Sequence, residues 1–288
     1  MSTVASLRAQ MTARLIEAGA WQAEEDFGSI VRYVSGGDWN DENALDERAL
    51  AQVEALVRRR EQREPIEYIT GTALFGGIEI AVGPGVFIPR RHTEPLLTWA
   101  LDQLRGHDRP VVVDLCAGSG AVGLAIAHQR PDAEVHVVEA GPVAIGWLKK
   151  NQQLRESCGD TAVQLHHRDV AWPIPGMPGA SVDLVVANPP FVPSGRGLPS
   201  EWQEHQPHEA LFGGDDGLHV VHAVIDRAIE LLVQGGSLAI EHDDDQGPRI
   251  AALLGADRKF DDICIRQDHR GDPRYTTAIR ANDERSSV

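Results

Sequence analysis

Over about the first seventy positions, apolar residues recur three or four apart, at helical spacing, and no stretch alternates as a strand would. In SLRAQMTARLIEAG, Leu7, Met11 and Leu15 share one face, and Gly19 supplies a C-cap signal. AEEDFGSIVRYV predicts a second helix with Phe27, Ile30, Val31 and Val34 turned inward. DENALDERALAQVEALVRRREQRE, opening at Asp41, predicts a third, charged helix that Pro65 stops. From Thr72 the pattern alternates: ALFGGIEIAVGPGVFIPR, with Gly76-Gly77 inside it, reads as a β-hairpin. TEPLLTWALDQL returns to helix. Strand-like and helix-like stretches then take turns: VVVDL, AVGLAIAHQ, EVHVVEA and PVAIGWLKKNQQL, with further strands at AVQLHH and VDLVVA, a helix at HVVHAVIDRAIELLV and a strand at GSLAIEH. Such a rhythm predicts an α/β fold, a Rossmann-like parallel sheet with helices on both faces. DICIRQ and RYTTAIR have no long helix between them and predict an antiparallel hairpin at one edge. The expected organisation is a helical domain over residues 1–71, a hairpin linker over 72–90 and the Rossmann-like domain over 91–288.

Charge narrows the choice of partners. A formal net charge of −16 over 288 residues weighs against a protein that grips nucleic acid by its phosphates, which takes a positive surface. The basic run LVRRREQR, from Leu56 to Arg63, reads as a solvated helix face. Cys116, Cys158 and Cys264 lie far apart without metal-ligand spacing, as expected of a reduced cytoplasmic protein. No apolar run reaches membrane-spanning length and no basic-then-apolar leader opens the chain, so neither a membrane nor a nucleic-acid partner is expected.

Two strand ends carry chemistry. VVVDLCAGSGAVGLAIA runs from a strand through Asp114 and a glycine-rich turn (Cys116, Ala117, Gly118, Ser119, Gly120) into a helix, letting backbone approach a ligand. Glu139 ends the next strand about twenty residues on, where an acid accepts hydrogen bonds from ribose hydroxyls. The pair suits an adenosine-containing cofactor, either a nicotinamide dinucleotide or S-adenosylmethionine. The second end is VDLVVANPPFVPSGR. Pro189 and Pro190 cannot donate to a ladder, so the strand stops at Asn188, beside the glycine turn if its strand neighbours the first. A planar nitrogen is a poor nucleophile because its lone pair is delocalised. The Asn188 side-chain oxygen and the Pro189 carbonyl offer two acceptors for its N–H bonds, and Phe191 offers a ring to stack on the flat group. A dehydrogenase has no evident use for that arrangement, whereas an N-methyltransferase does.

The Asp-Leu-x-x-Gly-x-Gly run resembles the first motif of methyltransferases with the Rossmann fold. Nearly the whole chain resembles the HemK/PrmC family, protein-(glutamine-N5) methyltransferases that modify the Gly-Gly-Gln loop of peptide chain release factors. EPIEYITGTALFGGIEIAVGPGVFIPRRHTE is similar to the family's hairpin and Ile-Pro-Arg-x-x-Thr-Glu signature. ALFGGDDGL, LAIEHDDDQG and DHRGDPRYTTAIR resemble its later loops and strands. The resemblance implies S-adenosylmethionine contacts at Asp114, the turn from Cys116 to Gly120, Glu139, Asp169, Val170 and Asn188. It implies a substrate glutamine held against Asn188, Pro189, Pro190 and Phe191, with Arg90, Thr93 and Glu94 of the signature also on the substrate side. The helical N-terminal domain would help recognise the protein substrate. No metal is implied. Related acceptors (another protein, a peptide, a small-molecule nitrogen or a nucleic-acid amino group) share the same chemistry.

Some residues depart from the family pattern. Arg91 and His92 stand where it has Pro and an acid, Gln206 where it has Glu, and Phe191 where Tyr is commoner. The acidic run EHDDDQ reads as a solvated loop, His166-His167 as an edge-strand pair, and Trp147, Trp172 and Trp202 as packing residues. Cys116 has no neighbouring base in the sequence to make it a nucleophile.

Overall fold

The computed structural model describes residues 4–37 and 45–282. Helices α1 (Val4–Glu17), α2 (Ala23–Ser35), α3 (Glu47–Glu61) and α4 (Ile66–Thr70) lead to strands β1 (Thr72–Phe75) and β2 (Ile78–Ala81). A 3-10 turn at Arg91–Thr93 opens into α5 (Glu94–Gln103), followed by β3 (Val111–Leu115), α6 (Ala121–Gln129), β4 (Glu134–Glu139) and α7 (Pro142–Ser157). Next come β5 (Gln164–His167), β6 (Val182–Ala187), two one-turn helices α8 (Ser200–Gln203) and α9 (His208–Leu211), and α10 (His219–Leu231). The last elements are β7 (Leu232–Glu241), α11 (Gly247–Gly255), β8 (Phe260–Gln267) and β9 (Pro273–Arg280).

The chain forms two compact units. The first comprises Met1–Thr72, Val82–Pro84 and Gly197–Gln206. Its core joins Leu7, Met11 and Leu15 of α1 to Phe27, Ile30 and Val31 of α2 and to Val53 and Val57 of α3. The expected start of the third helix at Asp41 lies outside the described residues. The described helix begins at Glu47 because the Asp46 carboxylate caps it, accepting the Ala49 N–H at 2.7 Å. It ends at Glu61, before Pro65, which opens α4 instead.

The arginine run is not the solvated face its composition suggests. Arg60 is 3% exposed and bonds Asp26 at 2.8 Å and Glu201 at 3.2 Å, while Arg63 meets the same Glu201 at 3.0 Å. Burying a guanidinium costs several kcal/mol unless acids and hydrogen bonds compensate, on the order of the penalty for any ion. These acids come from α2 and α8, far away in sequence. Among the run's other arginines, Arg59 pairs with Glu64, and Arg58 stays at the surface beside Glu54.

The second unit comprises Ala73–Ala81, Gly85–Arg196 and Pro207–Val288. Its seven-stranded sheet has the order β5-β4-β3-β6-β7-β9-β8. Pairing is parallel from β5 to β7, and β9 runs antiparallel to both β7 and β8. The alternating pattern is therefore realised as an α/β fold with an antiparallel edge pair. On one face Val113, Leu115, Val185, Ala187, Leu238 and Ile240 pack against Val221, Val224 and Ala228 of α10. Strand β7 starts at Leu232, four residues before the expected Gly236, because its first residue pairs with Val182 across a register shift. Helix α11 carries no strong sequence signal, being short and opened by Gly247-Pro248, yet it buries Ile250 and Leu254. Among the described residues no helix is long and apolar enough to cross a membrane.

Candidate active site

Strands β3 and β6 are neighbours, with Leu115 opposite Ala187, so Cys116 and Asn188 leave the sheet at the same level of its carboxyl edge. This is the switch point of an open parallel sheet, where ligands bind.

The turn after β3 is built on two acids. Asp114 is buried at the strand end, and its carboxylate accepts the Gly123 N–H at 2.8 Å, fixing the first turn of α6. Burial pushes its pKa up to about 7, against the Gly123 hydrogen bond and with help from the negative charge of Glu139. Gly123 must be bare, since a Cβ there would run into Val137 of β4. Glu139, at the end of β4, accepts the Gly118 N–H at 2.7 Å and the Gly141 N–H at 2.6 Å. Burial raises its pKa too, and those backbone donors oppose the rise. The turn is braced from behind by Asn151 of α7, which donates to the Ser119 carbonyl at 2.9 Å and exchanges hydrogen bonds with Ala81 of β2. Gly118 adopts φ 58° and has nothing within 4 Å of where a Cβ would stand, so the front of the turn is open. Cys116, with φ 62°, has its thiol pKa driven well above the ordinary value, first by burial and then by the neighbouring carboxylates. It is a neutral thiol, not a nucleophile.

Beyond β5, Asp169 is exposed and caps its own turn by accepting the Ala171 N–H at 2.8 Å. Val170 is buried, and its carbonyl accepts from the Arg227 side chain of α10 at 3.2 Å. Arg168 donates its N–H to the Glu139 carbonyl at 2.9 Å, so this loop lies next to the acid that ends β4.

The end of β6 is held by remote segments. Pro189 is buried and Asn188, Pro190 and Phe191 are half-buried. The Val192 N–H donates to Leu211 at 2.9 Å, the Gly213 N–H returns to the Val192 carbonyl at 2.9 Å, and Ser194 donates to Gly214 at 2.8 Å. A Cβ on Gly213 would collide with the Pro190 carbonyl, and one on Gly217 (φ 75°) with the Phe191 carbonyl. The loop ALFGGDDGL is thus a clamp pressed on the Asn-Pro-Pro-Phe backbone, and its glycines are what permit the close approach. Gln246 completes the clamp, donating to the Phe191 carbonyl at 2.8 Å and accepting the Asp243 N–H at 3.0 Å. Asn151, Gly213, Gly217 and Gln246 brace these segments and were not singled out from the sequence, although ALFGGDDGL and LAIEHDDDQG contain the last three.

Arg90, Thr93 and Glu94 gather at the start of α5. Arg90 lies over the Phe87 ring at 5.5 Å, Thr93 is buried with its N–H on the Arg90 carbonyl, and Glu94 accepts the Gly76 N–H of the hairpin at 3.4 Å. The acidic run is bridged by Arg196, which pairs with Asp243 and, at 3.1 Å, with Asp245. His166 and His167 lie on β5, at the edge of the sheet as expected, and His166 stacks on His136 of β4 with centroids 5.2 Å apart. Trp172 is 63% exposed, so it does not pack as the sequence suggested, because its loop follows the sheet's outermost β5.

The open glycine turn, the acid at the end of the adjacent strand and the clamped Asn-Pro-Pro-Phe segment suit a cofactor with a ribose and a small charged end. The chain matches the family model for the methyltransferase small domain over residues 78–200 and that for the PrmC N-terminal domain over residues 6–71. Fold and site define an S-adenosylmethionine-dependent methyltransferase. The chain is 44% identical over 237 residues to the release factor glutamine methyltransferase of Mycolicibacterium smegmatis, covering 82% of each chain. It is 36% identical over 283 residues to the enzyme of that name from Streptomyces coelicolor, covering 95% of this chain and 96% of that one. A 4-amino-L-phenylalanine/4-methylamino-L-phenylalanine methyltransferase of Streptomyces pristinaespiralis is 39% identical over 206 residues, covering 69% of this chain and 68% of that one. The chain belongs to the family of release factor glutamine methyltransferases.

Proposed function

We propose that this protein methylates the side-chain amide nitrogen of the glutamine in the Gly-Gly-Gln loop of a peptide chain release factor, with the residues at the ends of β3, β4 and β6 forming the site. The observation that carries this reading is the clamped Asn-Pro-Pro-Phe segment leaving β6 level with the glycine turn of β3. In this reading the turn from Cys116 to Gly120, with Asp114 behind it, Glu139 and the Asp169-Val170 loop hold S-adenosylmethionine. Bound there, the cofactor supplies a methyl group activated by a sulfonium.

The chain's own residues do the positioning. The Asn188 side-chain oxygen and the Pro189 carbonyl accept the two N–H bonds of the glutamine amide, which fixes its plane and directs the nitrogen toward the turn. Phe191 covers the flat face of the amide. Pro189 and Pro190 keep these acceptors from following a mobile backbone, and Gln246 with the Gly213–Gly217 loop holds the segment from behind. Orientation of this kind is worth about 7 kcal/mol or more in well-aligned cases. The methylated amide nitrogen loses its extra proton to solvent, since the Asn188 and Pro189 oxygens accept hydrogen bonds but are too weakly basic to take it.

Incubation with radiolabelled cofactor and a release factor carrying either Gln or Ala in its Gly-Gly-Gln loop tests the acceptor. Label on the Gln form alone supports the proposal, and equal label on both, or on neither, contradicts it. A second acceptor class, an aromatic amine, is supported by the 39% identity to the 4-amino-L-phenylalanine enzyme. Faster transfer to 4-amino-L-phenylalanine than to the release factor would favour it.

A further inference from the structure

Glu241 is the last residue of β7 and is wholly buried, yet neither of its carboxylate oxygens has a hydrogen-bond partner in the protein. The His92 Nε2 approaches one of them to 3.4 Å without hydrogen-bond geometry. Next to His92, Thr93 is 2% exposed, and its hydroxyl is also unpartnered. A buried acceptor left unpaired is costly, and an acid costs more than a hydroxyl, so each calls for a donor that the fold does not supply, an ordered water or a bound ligand.

The register says where that donor would come from. Ala187 of β6 lies opposite Ile240 of β7, so Asn188 and Glu241 leave adjacent strands together, and paired strands run about 4.8 Å apart. Side chains alternate along a strand, so both residues belong to the face opposite Ala187 and Ile240 of the apolar core. Tyr275 of β9, which pairs with Glu241, ties this face to the start of α5 by donating to the Pro95 carbonyl at 3.3 Å. The neighbouring His242 does not supply the missing donor, because its ring bonds the Thr276 hydroxyl at 2.8 Å and the Asp243 carbonyl at 2.7 Å.

We propose that Glu241, with Thr93 beside His92, is a further substrate-binding element that accepts N–H donors of the acceptor segment next to the amide held at Asn188. This rests on the reading of the acceptor given above. An amide has only two N–H bonds, both taken by Asn188 and Pro189, so the donors at Glu241 are the flanking backbone N–H groups that a glycine-rich loop leaves uncovered.

The test compares Glu241→Leu and Glu241→Gln with wild type, measuring kcat and KM for the release factor, cofactor affinity by calorimetry and the melting temperature. Losing hydrogen bonds to a charged group should raise the KM for the release factor in Glu241→Leu by about 10- to 100-fold. Glu241→Gln, which keeps one acceptor, should show a smaller rise. Cofactor affinity should stay within about twofold, and the Leu variant should melt no lower than wild type, because a buried carboxyl without a hydrogen-bond partner has given way to an apolar side chain. A KM for the release factor within about twofold of wild type in both variants overturns the inference while leaving the acceptor intact. No turnover of the release factor by the wild type overturns the acceptor reading and this inference with it.

Discussion

Two strand ends at one sheet edge are stiffened in opposite ways. The turn after β3 is held by side chains at its back: Asp114 takes the Gly123 N–H, Glu139 takes those of Gly118 and Gly141, and Asn151 donates to the Ser119 carbonyl. The end of β6 owes its shape to residues further along the chain, chiefly Leu211, Gly213, Gly217 and Gln246. The first leaves a recess with an open front, while the second is a platform clamped from behind. A cofactor that varies little can be served by a turn fixed in this way. An acceptor site held by remote loops can be retuned without disturbing that turn.

The largest separation of the two ends comes from Asn188→Ala. Deleting a positioned polar group at a reacting centre should lower kcat by about 10²- to 10³-fold, with circular dichroism unchanged. Turnover near wild type would remove Asn188 from the mechanism.

A paired substitution sharpens the contrast. Gly217→Ala drives a methyl into the Phe191 carbonyl, so kcat should fall about tenfold or more, and its positive φ adds about 1 kcal/mol of instability or more. Gly118→Ala carries the same kind of strain but fills the open front, so its loss should appear in cofactor affinity by calorimetry. If both variants lose the same parameter, the two ends are not functionally distinct.

Gln246→Leu should act more mildly. It removes the hydrogen bond to the Phe191 carbonyl, at a cost of about 1 kcal/mol, or roughly fivefold in kcat, with cofactor affinity intact.

The last effect is on stability and is read apart from turnover. The Asp114 carboxyl titrates near 3.8 when unfolded and about 7 when folded, so between those values the folded state keeps a proton that the unfolded state has released. Its contribution therefore declines as pH rises through that window, by up to about 1.4 kcal/mol per pH unit. Asp114→Asn should flatten that part of the pH dependence in urea unfolding. An unchanged slope would place the proton elsewhere.

How much of this was legible in the sequence follows the same division. The glycine turn, Glu139 and the halt at Asn188 could be read because each stands at the end of a legible strand, where its residue type signals a turn, an acid or a stop. The clamp could not, because Gln246 and Phe191 meet across 55 positions. The arginine run was misread for the same reason, since Asp26 and Glu201 reach Arg60 from other parts of the chain. Nothing in composition announces that Gly197–Gln206 folds with the helical unit. Short helices such as α4 and α8 escaped because little more than one turn leaves no periodicity to read.

The most direct test of the central claim, that the β6 platform presents a glutamine amide for methylation, is tandem mass spectrometry of a release factor after incubation with the protein and S-adenosylmethionine. A single methyl on the side-chain amide nitrogen of the Gly-Gly-Gln glutamine, absent with the Asn188→Ala variant, is the predicted result. A methyl on any other atom, or the same product from the variant at an undiminished rate, would contradict it.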